Sequence, residues 1–281
     1  MQTKTLLEAQ NVEFAYRFDK LALNGINLTI PAGRRVAFVG PNGAGKSTLF
    51  LHFNAILRPT SGRLLLHDKP FEYSRSAITA LRQKVGLVFQ DPDTQLFAGS
   101  VLDDVLFGPM NLGLTVKAAE KQALAALEAV QMAEFANEPV HFLSHGQKKR
   151  VAIAGVLAMK PEMLVMDEPT AGLDFPGMQN LSDIMARLYE AGTTLVVATH
   201  DIDWAWRWAD LVYVLSQGQV IAGGAPEAIL NNGEHASQGF ARPVVGEIYS
   251  SVVLRNQAEI TEKNPVPRTA AELVSMLKNV D

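Results

Sequence analysis

The chain has 281 residues, 48% of them hydrophobic, so it can bury the core of one large domain with an appendage or of two small domains. A formal net charge of −4 and a sequence pI near 5.9 argue against a nucleic-acid-binding surface, and no nucleic-acid partner is expected. The absence of cysteine excludes a disulfide framework, and no apolar run approaches the roughly 18 residues of a membrane span, so any membrane part must come from another chain.

The N-terminal part of the chain predicts an antiparallel β layer and shows no signal-peptide core. Residues 6–16 alternate apolar with polar or small residues, which we interpret as an edge strand, and residues 23–30 form a second strand before Pro31. Tyr16 lies at the end of the first strand, where its ring can pack or can stack on a purine base. For a tyrosine at a strand end, packing is the commoner of the two.

A glycine-rich motif follows the β layer. Residues 40–48 read Gly-Pro-Asn-Gly-Ala-Gly-Lys-Ser-Thr and fit the pattern G-x-x-x-x-G-K-[S/T]. A short apolar segment, residues 35–39, precedes the motif and predicts a buried parallel strand. A helix is predicted from residue 47 to residue 57, stopped by Pro59. The residues of the motif are Gly40, Pro41, Asn42, Gly43, Ala44, Gly45, Lys46, Ser47 and Thr48.

The residue types of this motif are suited to a phosphate chain. Glycines let backbone N–H groups approach an anion, and the helix directs its positive end to the same place. Lys46 is expected to reach the β- and γ-phosphates, Ser47 to ligate Mg²⁺, and Thr48 to bond a phosphate oxygen. The sequence therefore predicts a protein that binds a nucleoside triphosphate.

Polar residues follow three further apolar strands, predicted at residues 85–89, 163–167 and 193–199. They are Gln90, Asp167 with its neighbour Glu168, and His200. Ligands of open α/β sheets bind where parallel strands end, so these side chains are expected at one edge. Adjacent side chains at a strand end point in different directions. We therefore assign Asp167 to Mg²⁺, reached through water, and Glu168 to the water that attacks the γ-phosphate.

The stretch between Gln90 and Asp167 predicts helices. An irregular segment, residues 91–97, carries two apolar residues that look exposed, Leu96 and Phe97, and helical spacing follows over residues 101–107 and 115–131. Further on, Ser144 is a predicted N-cap, and its turn is a second helix N-terminus able to hold an anion. The basic run over residues 148–150 is expected to be a solvated helix face.

The C-terminal part predicts a helix over residues 178–190, a short helix over 202–209, a hairpin over 211–222 and a short helix over 226–230 that breaks at 231–233. Trp204 and Trp208 should share a helix face. The composition changes from about Ser237, and residues 264–267 read as a linker. A capping box over residues 269–272 starts a final helix. Its apolar face, which must pack on this chain or on a partner, carries Leu273, Met276, Leu277 and Val280.

Taken in order, these features resemble the ATP-binding cassette family over residues 1 to about 233. The resemblance rests on the phosphate loop, Gln90, the signature-like residues 143–147, the acidic pair, the turn at residues 171–174 and His200. Within the family, residues 91–97 and 107–114 are similar to the energy-coupling-factor importers, where this segment lies against a transmembrane coupling subunit. Residues 51–54 and 57–62 resemble the cobalt-import, CbiO-type branch.

The resemblance implies a fold class and a domain division. The fold is an α/β P-loop NTPase core with a mostly parallel sheet, an antiparallel β subdomain and an α-helical signature subdomain at about residues 91–160. The cassette is expected to occupy residues 1–233. Residues 234–281 would form a small C-terminal extension that pairs across a dimer.

The resemblance also implies roles for the site residues. Two copies face each other, so that the phosphate loop of one and Ser144, His145, Gly146 and Gln147 of the other hold one ATP. Tyr16 matches the aromatic residue that stacks on the base, which reverses the preference for packing. Asp167, Gln90 and Ser47 match the Mg²⁺ site, with Gln90 as the lid residue. Glu168 matches the residue that activates water, worth roughly 10²–10⁴ in rate. His200 matches the γ-phosphate sensor, and Asp174 the turn that links the two sites.

One position departs from the family pattern. The signature usually carries two glycines, and this chain has His145 in place of the first. Backbone N–H groups and the Ser144 hydroxyl bind the anion there. A side chain at position 145 is therefore tolerated if it points away from the nucleotide.

The expected function is that of an ATPase subunit, peripheral on the cytoplasmic face of the cell membrane, that powers import of a divalent metal ion, foremost cobalt. Its partners would be a second copy, the coupling subunit and a membrane substrate-binding subunit. Nickel or a vitamin is the alternative cargo, because the ATPase does not touch it. A soluble cassette of DNA repair or translation is disfavoured, because the chain has no long coiled coil and only one cassette. Residues 143–147 disfavour a plain kinase or GTPase.

Overall fold

The computed structural model describes residues 4–17, 20–230, 242–256 and 266–278. In this part of the chain an N-terminal pair of strands is followed by alternating helices and strands, the order of an α/β fold. The strands are β1 (Thr5–Arg17), β2 (Lys20–Pro31), β3 (Arg35–Val39), β4 (Ser61–Leu66), β5 (Lys69–Pro70), β6 (Val85–Val88), β7 (Met163–Asp167), β8 (Thr194–Thr199), β9 (Leu211–Ser216) and β10 (Gln219–Gly224). The helices are α1 (Lys46–Phe53), α2 (Arg75–Lys84), α3 (Val101–Asn111), α4 (Val116–Ala129), α5 (His145–Leu157), α6 (Phe175–Glu190), α7 (Ile202–Trp208), α8 (Pro226–Leu230), α9 (Val244–Asn256) and α10 (Ala270–Lys278).

The first sheet is antiparallel, with the strand order β2-β1-β4-β5, and confirms the predicted β layer. Strand β1 pairs with β2 on one side and with β4 on the other, so the prediction of an edge strand was wrong. The alternation of its residues reports one buried face, which an interior strand of an antiparallel sheet shares with an edge strand. The strand that carries Tyr16 is therefore anchored on both sides.

The second sheet has six strands in the order β10-β9-β3-β8-β7-β6. All of its pairings are parallel except the one between β9 and β10. The apolar runs that predicted buried strands are confirmed, because β3, β6, β7 and β8 are buried along nearly all of their length. Their carboxyl ends meet at one edge. The predicted fold class, a mostly parallel sheet with an antiparallel layer and a helical part, is confirmed.

Helix α1 ends at Phe53 and not at the predicted residue 57. The chain leaves the helix because Ala55 has a φ of +51°, in the left-handed region. The side chain of Asn54 also donates a hydrogen bond to the carbonyl oxygen of Val85 on β6. A tertiary contact, rather than Pro59, therefore ends the helix.

Helices α3, α4 and α5 pack together on one face of the main sheet, in the stretch predicted to be helical. Thr115 caps α4 as predicted, since its side chain accepts a hydrogen bond from the N–H of Ala118. Helix α5 also lies directly on β6, because a Cβ added at Gly86 would be 2.1 Å from Cγ1 of Val156. The glycine permits this close approach. Helix α5 thus joins the helical part to the edge of the sheet.

The C-terminal segment is anchored beside helix α7. The indole Nε1 of Trp206 donates to the carbonyl oxygen of Pro267 at 3.2 Å. Arg268 donates to the Glu227 carboxylate at 2.5 Å and to the carbonyl oxygen of Ala209 at 2.7 Å. The predicted packing of Trp204 and Trp208 on a shared helix face is confirmed, because their rings stack at 4.6 Å.

The final helix, α10, begins with the predicted capping box. The N–H of Glu272 donates to Oγ1 of Thr269 at 3.1 Å, and the Glu272 carboxylate accepts from the N–H of Thr269. Leu273 is buried, as its place on the apolar face requires. Helix α9 was not predicted from the sequence. Some of the sequence predictions fall outside the described residues. They are the break at residues 231–233, the change in composition at Ser237, the start of the linker at Asn264, and the places of the Leu277 side chain and of Val280 on the apolar face.

None of the helices in the described ranges has both the length and the apolar character that crossing a bilayer requires.

An ion pair fastens the start of β3 to the segment before β9. Arg35 donates from its guanidinium to the Asp210 carboxylate at 2.7 Å and from its backbone N–H at 3.0 Å. The guanidinium also lies over the Tyr189 ring, 4.7 Å from its centre. Burial acts to raise the pKa of Asp210, but the hydrogen bonds and charge of Arg35 outweigh it and hold that pKa below its ordinary value.

Replacing Asp210 tests the contribution of the Arg35–Asp210 ion pair to stability. A depressed folded pKa stabilises the fold above the unfolded pKa of about 4, and the contribution is lost as pH falls through the folded value. We expect Asp210→Asn to lower the free energy of unfolding by about 1–2 kcal/mol at neutral pH, with the difference from wild type shrinking below about pH 4. Thermal unfolding across this range measures it, with Asp183→Asn on the exposed side of α6 as control. A deficit that is equally large in acid would contradict the role of the ionised carboxylate.

Candidate functional site

The loop between β3 and α1 has the backbone shape of a phosphate cradle. Gly43 and Gly45 adopt φ values of +79° and +105°, which residues with a Cβ rarely adopt. A Cβ at Gly45 would also lie 2.8 Å from the carbonyl oxygen of Ala22. The loop is fixed from outside, since the N–H of Gly218 donates to the carbonyl oxygen of Ala44 at 3.0 Å. Conformation therefore favours glycine at both positions, and lack of space adds to this at Gly45.

Lys46 lies inside this loop. Its Nζ donates to the carbonyl oxygens of Gly40 at 2.6 Å and Pro41 at 3.2 Å. Burial lowers the pKa of Lys46 below its ordinary value, against the opposing negative charges of Glu168 and Asp167. The two carboxylates at the end of β7 are thus close enough to the ammonium group to act on its charge.

Ser47 and Asp167 lie close together at the edge of the sheet, near enough for the Ser47 hydroxyl to act on the pKa of the Asp167 carboxyl group. Burial raises the pKa of Asp167, and the neighbouring Glu168 adds to the rise, while Ser47 and Lys46 oppose it. A hydroxyl and one carboxylate are oxygen ligands of the kind that Mg²⁺ takes together with water and phosphate. No cluster of three or more His, Cys, Asp or Glu occurs among the described residues, so an all-protein metal cage is absent from that part of the chain. The donor set fits Mg²⁺ held with a nucleotide.

Glu168 occupies a strained and buried position directly after β7. Its φ is +44°, in the left-handed region, and its side chain is buried. Its backbone N–H donates to the carbonyl oxygen of Ala198 on β8 at 3.0 Å. Its Oε1 lies 3.0 Å from Nδ1 of His200, whose side chain is 69% exposed. The pair presents a carboxylate and an imidazole at the same edge as Lys46.

Gln90 follows β6 at this edge, and its side chain is exposed. The segment after it is held by Gln95, which the sequence did not single out. The Gln95 amide accepts from the N–H of Phe89 at 3.0 Å and donates to the carbonyl oxygen of Ala152 on α5 at 3.2 Å. The prediction that Leu96 is exposed was wrong, because its side chain is buried in the core of the helical part.

Tyr16 stands at the rim of a cavity beside the phosphate loop. The cavity has a volume of about 930 Å³ and is lined by Tyr16, Pro41, Asn42 and Gln217 among others. The tyrosine is 62% exposed, and its hydroxyl is 3.2 Å from Oγ1 of Thr48. One edge of its ring packs on Phe14 at 4.9 Å. A ring this exposed has a face available for stacking.

Ser144 begins helix α5 as predicted. The N–H of Gln147 donates to the Ser144 hydroxyl at 3.3 Å, and the Gln147 side chain accepts from the N–H of Ser144 at 2.8 Å, a complete capping box. His145 is exposed, and its Nε2 would be 3.1 Å from a Cβ added at Gly172. The signature residues therefore contact the turn at residues 171–174 of their own chain.

The prediction that the basic run over residues 148–150 is a solvated helix face was wrong at Lys149. Its side chain is 1% exposed, and its Nζ donates to the carbonyl oxygens of Glu168 at 3.3 Å and Ala171 at 3.0 Å. On the helix it shares a face with Ala152 and Ile153, which are buried as well. The burial of Lys149 could not be predicted from the sequence, because the charge of a side chain within a run of three basic residues gives no indication of which one is buried.

Asp174 is the N-cap of α6, and its Oδ1 accepts from the N–H of Gly177 at 2.9 Å. The helix therefore begins at Phe175 and not at the predicted residue 178. The side chain of Asp174 is exposed on the surface that carries Ser144 and His145.

Comparison with known proteins places this arrangement in a family. The family model described as ABC transporter matches residues 23–171. The energy-coupling factor transporter ATP-binding protein EcfA of Methanocaldococcus jannaschii is 48% identical over 229 residues, which cover 82% of each chain. The solved structure of cbiO1 from Clostridium perfringens, described as part of the ABC transporter complex cbiONQ, is 42% identical with a TM-score of 0.76 and covers 90% of this chain and 96% of that chain.

A second solved structure bears on assembly. It is a dimeric ATP-binding cassette in a post-hydrolysis state, bound to ADP and Pi. It is 29% identical with a TM-score of 0.72, and the match covers 79% of this chain and 99% of that chain. With the cradle, the acidic pair and the full-length likeness in place, the chain belongs to the ABC transporter family, as the ATP-hydrolysing subunit of an energy-coupling factor transporter.

Proposed function

We propose that two copies of this chain bind ATP head to tail, with the phosphate loop of one copy facing Ser144, Gly146 and Gln147 of the other. The observation that supports this best is the position of Ser144, which starts a 13-residue helix at an exposed site and forms its hydrogen bonds within that helix. A helix N-terminus carries unpaired N–H donors and a positive dipole end. The termini of α1 and of the partner's α5 would share the charge of one γ-phosphate.

The nucleotide would lie along the phosphate loop with its base on the exposed face of Tyr16. Lys46 would leave the carbonyl oxygens of Gly40 and Pro41 for the β- and γ-phosphates, and Thr48 would bond a phosphate oxygen. Ser47, Asp167 and Gln90 would hold Mg²⁺. When bound, Mg²⁺ would supply positive charge that neutralises negative charge developing on the phosphate oxygens.

Hydrolysis would use Glu168 as general base. Its carboxylate would accept a proton from a water molecule that attacks the γ-phosphorus in line, and the burial of the side chain limits competing water. His200, at 3.0 Å from that carboxylate, would hydrogen-bond the γ-phosphate and sense its loss. Asp174, on the turn that His145 contacts, would link the two sites of the dimer.

The contact with a transmembrane coupling subunit is assigned to residues 91–97. Phe97 and Phe107 are 65% and 52% exposed and pack edge to face at 4.7 Å. Both line a groove of about 530 Å³ that also includes Arg75 on α2 and Met159 after α5. An exposed aromatic pair beside a groove is the kind of surface that an apolar partner covers.

The cargo is proposed to be a divalent metal ion, with cobalt ahead of nickel or a vitamin, because residues 51–54 and 57–62 resemble the cobalt-import branch of the family. A membrane substrate-binding subunit would select the cargo, and this chain would work as a peripheral subunit on the cytoplasmic face of the membrane. Residues 234–281 would form a dimerisation element beyond the cassette of residues 1–233. In the described part, exposed apolar residues on α9 and α10 support such a contact, namely Val244, Ile248 and Val274.

Removing the general base tests the hydrolytic assignment. We expect Glu168→Gln to retain ATP binding, to lower kcat by roughly 10²-fold or more, and to accumulate an ATP-bound dimer, because an amide cannot accept the proton. Steady-state hydrolysis and size-exclusion chromatography with ATP measure both effects. Near-normal turnover would remove Glu168 from this role.

Mixing two inactive variants tests the shared site. Lys46→Ala disables the phosphate loop, and Ser144→Arg disables the signature. In a mixed dimer, one site combines the intact loop of the Ser144→Arg copy with the intact signature of the Lys46→Ala copy. With random pairing and independent sites, the mixture should regain about a quarter of wild-type activity, whereas each variant alone stays inactive. A mixture as inactive as its components would show that the site is not completed by a second copy.

Substituting the aromatic pair tests the coupling surface. We expect Phe97→Ser with Phe107→Ser to keep basal ATP hydrolysis but to lower Co²⁺ uptake by the complete transporter at least about tenfold, because an apolar contact is lost. Val116→Ser, at an equally exposed position on α4, is the matched control. Unchanged uptake would place the membrane contact elsewhere. Uptake of Ni²⁺ without Co²⁺ by the unmodified transporter would reassign the cargo and leave the contact standing.

A further inference from the structure

Lys149 is less exposed than any other lysine, arginine, aspartate or glutamate among the described residues. Burying an ammonium group is costly unless it is paired or hydrogen-bonded. Its two hydrogen bonds go to backbone carbonyl oxygens, those of Glu168 and Ala171. Burial lowers the pKa of Lys149, against the negative charges of Glu168 and Asp91. The group therefore lies beneath the hydrolytic turn, in a place that an apolar side chain would fill at less cost.

The backbone that Lys149 contacts is strained. Glu168 is one of the few described residues other than glycine with a positive φ, at +44°. Such a conformation persists only when its surroundings hold it. The carbonyl oxygen of Glu168 accepts from the N–H of Ala171 at 3.1 Å and from Lys149 at 3.3 Å. Lys149 thus supplies a tertiary bond at the residue whose carboxylate is directed toward His200.

Helix α5 also contacts the segment that follows Glu168 through residues in its first turn. In its first turn, His145 lies against Gly172, and a Cβ added at Gly146 would be 3.4 Å from Cδ2 of Leu173. One helical turn further, Lys149 reaches residues 168 and 171. The first two turns of α5 and the segment 168–173 are therefore joined by contacts of three α5 residues, His145, Gly146 and Lys149.

We propose that Lys149 is a positioning residue for ATP hydrolysis, which holds the Glu168 backbone in its left-handed conformation and ties it to helix α5. The inference rests on the proposed roles of Glu168 and Ser144. It adds a direction of coupling: Ser144 at the start of α5 binds the partner's ATP, and Lys149 on the same helix sets the geometry of Glu168 in its own site. Nucleotide at one site of the dimer thereby adjusts hydrolysis at the other.

The test uses the full chain and Lys149→Met, which keeps an unbranched side chain of similar length and removes the donor. We expect kcat to fall at least about tenfold, because a misplaced general base loses much of its 10²–10⁴ contribution. The Kd for ATP should stay within about twofold, because Lys149 contacts no residue of the phosphate loop. Lys149→Arg should restore most of the activity, since its guanidinium can donate to both carbonyl oxygens. Lys117→Met, at an exposed lysine of α4, is the matched control.

A double-mutant cycle separates positioning from a general structural effect. If Lys149 acts through Glu168, adding Lys149→Met to Glu168→Gln should leave the residual rate unchanged within about twofold, whereas independent effects would multiply. Multiplying effects, a wild-type kcat in Lys149→Met, or a parallel loss of ATP affinity and thermal stability would each overturn the inference. Should Lys149→Met fail to fold, Lys149→Leu, which also lacks a hydrogen-bond donor, must show the same selective loss of kcat.

The two proposals can fail separately. Full turnover by Glu168→Gln would refute the general base, and with it the basis of this inference. An inactive Glu168→Gln beside a fully active Lys149→Met would refute the positioning role alone.

Discussion

Buried charge at the end of an apolar strand is the constraint on which this structure depends. Strand β7 is buried for most of its length and ends in Asp167, with Glu168 next to it. Carboxylates in such a place are costly unless opposite charges and hydrogen bonds surround them. The neighbouring elements supply such groups: on α1, Ser47 acts on Asp167 and Lys46 on both charges, and after β8 His200 lies 3.0 Å from Glu168. The sheet order β3-β8-β7-β6 is what brings these groups together.

The same constraint explains the importance of helix α5. The helix lies on β6 through Gly86, holds the segment after Gln90 through Gln95, and reaches under the acidic turn through Lys149. A further ion pair joins Lys148 to Asp93 at 2.7 Å. One helix therefore contacts the nucleotide edge, the segment that precedes the exposed Phe97, and the exposed turn that begins with Ser144. Rigid helices transmit small displacements over their length, so this arrangement suits coupling between sites.

Much of this could be predicted from the sequence, because buried parallel strands are short apolar runs and the polar residues that follow them fall at one edge. This rule placed Gln90, Asp167, Glu168 and His200 at one edge, and the glycine pattern of residues 40–48 predicted the phosphate loop. The end of α1 was not, since a tertiary bond from Asn54 and the φ of Ala55 decide it. The interior position of β1 was also missed, because alternation reports burial of one face and carries no information on neighbours.

Polar residues that the fold buries fully or partly were harder to predict. Lys149 and Gln95 have no local pattern that separates them from surface residues, because their partners are backbone carbonyl oxygens distant in the chain. Leu96 shows the reverse case, an apolar residue in a polar segment that the fold buries while its neighbour Phe97 stays out.

The nucleotide site also gives a physical rationale for the proposed head-to-tail dimer. Within one chain, the γ-phosphate would meet Lys46 and the N-terminus of α1, but Glu168 and Asp167 lie beside the same position and repel it. Beyond Lys46 and the Mg²⁺ that this chain would hold, the exposed N-terminus of α5 in another copy would add positive potential without adding net charge to be buried. His145 is compatible with nucleotide binding at this helix N-terminus, because its ring lies against Gly172 in the turn at residues 171–174 of the same chain. A site completed in this way would close only when both copies hold ATP between them. Binding energy and chemistry would then be linked through the helix that carries both Ser144 and Lys149.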